Sequence, residues 1–449
     1  MIHEVHLSKV TCERLTDVLV LQMSLLDYAL SVTRVDKDLC ARYLDERVRF
    51  RGRGQQIAKW IWDAKTRWEP LQDFVECFES QDEEARSEEH RRKREWYELL
   101  SAEAWALLVD PTIKIELYRK DKAPNWQQQG VKFLERFYVD LCSPAKLPSY
   151  LFSEPGAGDF GRQEFLDEFV KANETLYVCA ACDESSYFTI VEGNIRTDID
   201  HYLPKSLYPH FSCHPYNLIP ICKLCNQTSI KGNKDPLEAL TSNGDRLSLA
   251  DIYLPYRRPG LGTKTYLQVR LVKPGEDQRE VDWVKLEKLV PRDASDLSIN
   301  RLIEVLEAVY KIPNRWTQDG RVDKISETLF RRIRQFLGDG TCMPLGIDTP
   351  LAVYNILNQL LYYSYYEDQS KDPFAFALTW ILLALLSEEL LAQESETEQT
   401  TKSDGVRSPL LVELIEGLGQ NVNANIKRED FANSLREVVK ENTFRNSIK

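Results

Sequence analysis

Through LTDVLVLQMSLLDYALS, residues 15–31, apolar side chains recur every three or four positions, with no glycine or proline among them. That spacing predicts a helix with a buried face. A second pattern of the same kind runs through QQIAKWIWDAKTRWEPLQDFVECFES, residues 55–80. In QDEEARSEEHRRKREW, residues 81–96, acids precede bases at helical spacing, which predicts a solvated helix laced by i,i+4 ion pairs. Residues 1–110 are therefore expected to form a helical N-terminal region.

The periodicity fades over 111–175, where Pro111, Pro124, Pro144, Pro148, Pro155 and the turn-forming EPGAGDFG suggest a mixed connecting region. Two later stretches, DIYLPYRRPG at 251–260 and TKTYLQVRLV at 263–272, alternate as strands do and mark a small β-rich extension over 241–295. Helical spacing returns in SINRLIEVLEAVYKI, KISETLFRRIRQFL and SPLLVELIEGL, so 296–449 reads as a helical C-terminal region. A polar segment near 393–408 predicts a mobile loop within it. The longest apolar run, FAFALTWILLALL at 374–386, falls short of the roughly twenty residues a bilayer span needs and predicts a buried helix. No internal repeat is present.

At 449 residues the chain is long enough for two or three domains. Its net charge of −12 argues against broad, non-specific duplex binding, although a local basic groove would not be excluded by it. The opening MIHEVHLSKVTCERL has no basic segment leading into an apolar one, so no secretory leader is read there and a cytoplasmic protein is expected. Of ten cysteines, Cys12, Cys40, Cys77, Cys142, Cys213 and Cys342 stand singly, which fits a reducing compartment.

The other four cysteines form two hooks, Cys179-Ala-Ala-Cys182 and Cys222-Lys-Leu-Cys225. Two CxxC pairs can present four thiolates to one tetrahedral ion, so a structural Zn2+ is expected. An iron–sulfur centre is open to the same ligands. Four thiolates would leave no coordination position free, giving this metal a bracing role. Residues 183–221 separate the hooks, more than a simple zinc ribbon holds, so a subdomain is inserted between them.

That insertion contains DIDHYLP at 198–204 and NLIPICKLCNQTSIKGNK at 217–234. The order of hooks, Asp-His and two asparagines resembles the HNH, or ββα-metal, endonuclease family in its zinc-bearing branch, with Asn in place of the third letter. The resemblance covers residues 176–240. It implies a mainly α protein with a central ββα-metal module and a small β-rich stretch after it. It implies that His201 is the general base, that Asp200 and Asn226 ligate one Mg2+ or Mn2+ ion, and that Asn217 holds the loop which orients His201. Lys231 is a candidate phosphate contact, and Arg257 and Arg258 follow closely enough to line a substrate groove. Asp200 and His201 are consecutive, so they can face one phosphate only where the strand ends or distorts. Pro204 is consistent with such an ending. His210 and His214, in the loop between, are expected to be exposed.

Outside this module RVRFRGRGQQIAKWIWDAKTRW, 47–68, interleaves arginines with Trp60, Trp62 and Trp68. A turn followed by a helix with core tryptophans is the favoured reading, ahead of a nucleic-acid surface. Arg331, Arg332 and Arg334 form another small basic patch. The functional expectation is a metal-dependent endonuclease acting on DNA phosphodiesters, with RNA also open as substrate. By fold-level analogy it would be a prokaryotic antiviral or restriction-type effector, gated by a signal or a protein partner such as an ATPase. The competing class is a zinc-braced module that binds nucleic acid or protein without cutting. No membrane association is expected, and the oligomeric state is left open.

Overall fold

The Ser8 side chain accepts a hydrogen bond from the Thr11 backbone N–H and so caps the first helix, α1 (Lys9–Leu30). Its apolar stripe, with Leu15, Val18, Leu25 and Leu26, is fully buried. Each such side chain stabilises the fold by about 1.5–3 kcal/mol relative to exposure. The computed structural model describes residues 1–78, 82–109, 115, 118, 122–184, 190–191, 194–195, 197–240, 246–271, 284–317 and 374–381. The predicted mobile loop near 393–408, the Arg331 patch and Cys342 lie outside them. The protein is mainly α-helical, with short antiparallel strand pairs. Among the described residues no helix is long and apolar enough to cross a membrane.

The chain divides into two compact units. The first comprises Met1–Ala181, Ser186–Leu261 and Glu304–Tyr310. Here α1 packs against α2 (Lys37–Glu46), α4 (Lys65–Glu76), α5 (Glu83–Val109), α6 (Asn125–Cys142) and α7 (Arg162–Ala172). Helix α3 (Gly54–Trp62) lies against α2 and α4. Phe74, Trp96 and Trp126 join α4, α5 and α6 through edge-on and tilted ring contacts. Gly130 makes the close approach possible, since a Cβ there would stand 2.7 Å from the Trp96 ring.

Four of the five arginines of 47–67 are tied to this helical layer, and Arg51 is exposed. Arg67 binds the buried Asp140 at 2.9 Å and lies over Trp60, Arg47 binds Asp27 at 2.9 Å, and Arg49 binds the buried Asp17. Arg53 donates to the Tyr150 and Phe152 carbonyls. Of the three tryptophans, Trp60 is buried in the core, while Trp62 and Trp68 are half-buried. On α5 Glu88 pairs with Arg92 at i,i+4 as expected and with Arg91 at i,i+3. Arg91 also meets Glu95 in the reverse order, and Lys93 turns inward to the Val75 and Cys77 carbonyls.

The expected connecting region contains two helices, α6, with Pro124 at its N-cap, and α7, which starts after Gly161. One expectation is corrected. DIYLPYRRPG is not a strand: a 3₁₀ turn at Leu249–Asp251 ends on its first residue, and irregular chain and a turn follow, with Tyr256 at φ +64°.

Within the first unit, β1 (Ile190–Val191) pairs with β2 (Asn194–Ile195). The strands β3 (Asp198–His201) and β4 (Leu218–Ile221) form an antiparallel pair in the register Asp198↔Ile221 to His201↔Leu218. The second unit comprises Cys182–Ser185, Gly262–Ile303 and Lys311–Lys449. It contains the hairpin β5 (Thr265–Leu271) and β6 (Val284–Pro291), with an irregularity at Gln268/Val269, and α9 (Ile312–Thr317) packed on β6. Arg315 pairs with buried Glu184 at 2.6 Å, Trp316 donates to the Cys182 carbonyl, and Phe376 N–H donates to Asp183. Helix α8 (Leu297–Tyr310) runs from residues of the second unit into Glu304–Tyr310 of the first.

Candidate metal centre and hairpin site

The two CxxC hooks converge. The Sγ atoms of Cys179, Cys182, Cys222 and Cys225 all lie within 4.8 Å of one another, and all four residues are buried. Cys179 and Cys225 are 4.0 Å apart, sulfur to sulfur. Zn–S bonds of about 2.3 Å in a tetrahedron require S···S near ~3.8 Å, so the donor set fits a metal ion such as zinc. Backbone N–H groups already point at the sulfurs, Cys222 N toward Cys179 Sγ and Cys225 N toward Cys222 Sγ, each at 3.4 Å. Such bonds favour the thiolate form that a metal needs.

The second hook follows β4 directly, and β3 lies beside β4, so the cluster anchors the strand that carries Asp200 and His201. His201 closes the regular pairing, opposite Leu218. Its Nε2 is 3.0 Å from the Ser212 carbonyl, which can only accept, so Nε2 holds the proton and Nδ1 the lone pair. Burial pulls this imidazole down to about 3, against the opposing effect of the Ser212 carbonyl, and keeps it neutral.

Asn217 sets the Ser212 carbonyl in place. Its Oδ1 accepts from Leu203 N–H at 2.7 Å, while Nδ2 donates to the Leu203 and Phe211 carbonyls, each at 3.0 Å. The side chain thus ties both ends of the loop that joins the strands. Ser212 Oγ donates to the Leu134 carbonyl of α6, which fixes the same residue from the other side.

Asp200 is engaged differently from its neighbour. Lys231 Nζ lies 2.8 Å from its Oδ2 and 3.0 Å from its Oδ1, and also donates to the His201 carbonyl at 2.6 Å. Burial raises the Asp200 carboxyl to about 6, with the Lys231 charge pulling the other way. The lysine expected on phosphate is therefore an interior residue, 1% exposed. Asn226 donates to Asp198 at 3.2 Å rather than meeting Asp200. Asp198 and Asp200 are two apart on β3 and share a strand face, so Asn226 joins the same side of the hairpin through Asp198.

Where the resemblance implies a helix carrying Asn226, residues 223–233 form successive turns, with Asn226 N–H bonded to the Cys222 carbonyl. Arg257 and Arg258 have other partners. Arg257 is exposed over the Tyr216 ring, and Arg258 donates to the Ala250 carbonyl.

His210 and His214 are buried, contrary to the expectation of exposure. His210 Nε2 is 2.9 Å from Glu103 Oε2 of α5. His214 Nδ1 accepts from Tyr216 N–H, leaving Nε2 to donate to the Ala104 carbonyl. The loop is a packed element held beneath α5, which its mixed polar sequence did not announce.

Tyr138 and Lys205 escaped the sequence reading. Tyr138 on α6 places its ring edge-on to His201 with centroids 4.2 Å apart, and its hydroxyl donates to the Ile199 carbonyl. Lys205, half-buried, has Nζ 4.8 Å from the Tyr138 ring centroid. Asp198 could have been found, being two residues before Asp200; nothing local marks Tyr138. Comparison of the chain with models of protein families, with curated proteins and with solved structures finds no match in any of the three.

Proposed function

We propose that the protein is an endonuclease of the HNH kind, hydrolysing nucleic-acid phosphodiesters at the hairpin of β3 and β4. The observation that carries this reading is the state of His201. A neutral imidazole, with Nε2–H held on the Ser212 carbonyl, keeps its lone pair on Nδ1, the form a general base uses. Burial weakens that base in the free chain, and a phosphate's negative charge beside the ring would strengthen it. Asn217 maintains that tautomer by holding the loop, and the Tyr138 ring restrains rotation of the imidazole. Lys205 supplies positive charge beside His201 for a phosphate oxygen. Asp200 and Asp198, with Asn226, offer the hard oxygen donors that Mg2+ or Mn2+ takes. Such an ion, when bound, would neutralise charge developing on the phosphate and on the leaving oxygen. The four-cysteine centre would hold zinc and brace the strands.

The test is incubation of the zinc-loaded chain with plasmid DNA, and separately with RNA, in Mg2+ or Mn2+. Cleavage is expected to fall by about 10²–10⁴ in His201→Ala. Equal cutting by the variant removes His201 from the mechanism. The preferred polymer identifies the substrate, and dependence on an added ATPase or other partner identifies gating in an antiviral or restriction setting.

A second reading is favoured by one observation, the Lys231 ammonium seated on Asp200. A zinc-braced module that binds nucleic acid or protein without cutting needs no free carboxylate there. Retention of labelled DNA without cleavage under all of these conditions selects it.

A further inference from the structure

Four oxygens surround the Lys231 ammonium. They are Asp200 Oδ2 at 2.8 Å, Asp200 Oδ1 at 3.0 Å, the His201 carbonyl at 2.6 Å and the Gly232 carbonyl at 3.4 Å. Two carboxylate oxygens and two backbone carbonyls form the donor set that a hard divalent cation takes, and here a side chain of the same chain fills it. Asp200 Oδ2 is buried and has the Lys231 ammonium as its counter-charge at 2.8 Å, so any cation that takes the nest must replace that charge.

The backbone under this lysine is tightly held. Gly232 has φ +46°, and a Cβ there would meet the Thr228 backbone at 2.7 Å. The four-carbon stem of Lys231, with its rotatable bonds, is the part that can move. An ammonium and a divalent ion cannot share this space, because the nest's oxygens sit at hydrogen-bond distance while Mg2+ draws its ligands to about 2.0–2.1 Å and repels a neighbouring cation.

We propose that Lys231 is an internal gate on this site, its ammonium occupying the cation position at Asp200 until a divalent ion displaces it. The inference rests on the nuclease reading for the role of Asp200 as a cation ligand, and adds its regulation. Loading then requires breaking a buried ion pair and moving Lys231 out of the nest. Resting chain and loaded chain differ in the position of one side chain.

The experiment measures Mn2+ binding by electron paramagnetic resonance on the full zinc-loaded chain, for wild type, Lys231→Ala and Lys231→Ala/Asp200→Asn. Lys231→Ala is expected to bind one Mn2+ tighter than wild type by about tenfold or more, since the competing ion pair is gone. The double variant should lose that site. In parallel, wild type is treated with an amine-modifying reagent across a Mn2+ titration, with modified peptides identified by mass spectrometry. Lys231 should be protected without Mn2+ and become reactive with it. Equal Mn2+ affinity in wild type and Lys231→Ala overturns the gate, as does the absence of any Asp200-dependent Mn2+ site. Should Lys231→Ala fail to fold, the modification series decides alone, and protection of Lys231 at every Mn2+ concentration overturns the proposal. Tighter Mn2+ binding by Lys231→Ala with no cleavage by either chain leaves the gate standing and sinks the nuclease reading.

Discussion

The Tyr138 ring stands edge-on to the His201 imidazole, centroids 4.2 Å apart, while its hydroxyl donates to the Ile199 carbonyl two residues earlier on the same strand. One side chain from α6 therefore grips both the backbone of β3 and the ring that β3 presents. Replacement by Ala removes both contacts and leaves a cavity beside His201. Tyr138→Ala is expected to lower stability by about 3 kcal/mol, read from urea unfolding. Tyr138→Phe keeps the ring and loses the hydroxyl's bonds to the Ile199 carbonyl and the Cys142 thiol, at about 1 kcal/mol. Equal stability of all three chains would show that α6 does not support the hairpin.

Asn217 gives a sharper test of how His201 is oriented. Its amide makes three buried hydrogen bonds, and truncation takes away the partners of the Leu203 N–H and carbonyl while leaving the Phe211 carbonyl with the His214 N–H. Asn217→Ala should cost about 3 kcal/mol or more, judged by the thermal midpoint. Asn217→Asp keeps the acceptor for Leu203 N–H but sets a carboxylate against two carbonyls, so it should be no better tolerated. A neutral outcome for Asn217→Asp would mean that the loop finds another latch.

How much of this was legible in advance follows from the range of each interaction. The helical periodicity of residues 15–31 marks α1, because the buried face of a helix is written every three or four residues. The cysteine hooks were readable for the same reason: each CxxC is local, and only their meeting is tertiary. Helix α6 was obscured by Pro124 and the prolines beyond its end, which punctuate a helix as readily as they break one. The pairing of Lys231 with Asp200, the burial of His210 against Glu103 and the contact of Tyr138 with His201 depend on segments far apart in the chain. No spacing rule encodes them. In the turns at 223–233, where the resemblance implies a helix, Gly232 adopts a positive φ and closes the segment.

Metal removal should expose the dependence of the hairpin on its cysteine centre. The purified chain is expected to contain one zinc, measured by atomic emission. Stripping it with a chelator should lower the unfolding midpoint, because binding free energy is folding free energy at such a site. Cys222→Ala should bind zinc far more weakly and should show hydrogen exchange across β3 and β4 faster than in wild type. Unchanged exchange in metal-free protein would detach the strands from the cluster.

His214 gives the fold an acid limit. His214 accepts from Tyr216 N–H and donates to the Ala104 carbonyl, a pattern that only the neutral ring can satisfy. Burial lowers it from 6.5 to about 3. Between those values the unfolded chain binds a proton that the folded chain refuses, so stability is complete above 6.5 and falls as the pH drops toward 3. One such group contributes a slope of about 1.4 kcal/mol per pH unit within the window. His201 acts in the same direction, whereas Asp200, raised to about 6, acts in the opposite one between there and its ordinary range. Comparing wild type with His214→Gln isolates the single residue. The variant should be less stable at neutral pH yet lose less on acidification, as read from urea midpoints between about pH 5 and pH 7. Parallel pH curves for the two chains would show that His214 takes up its proton without unfolding the loop.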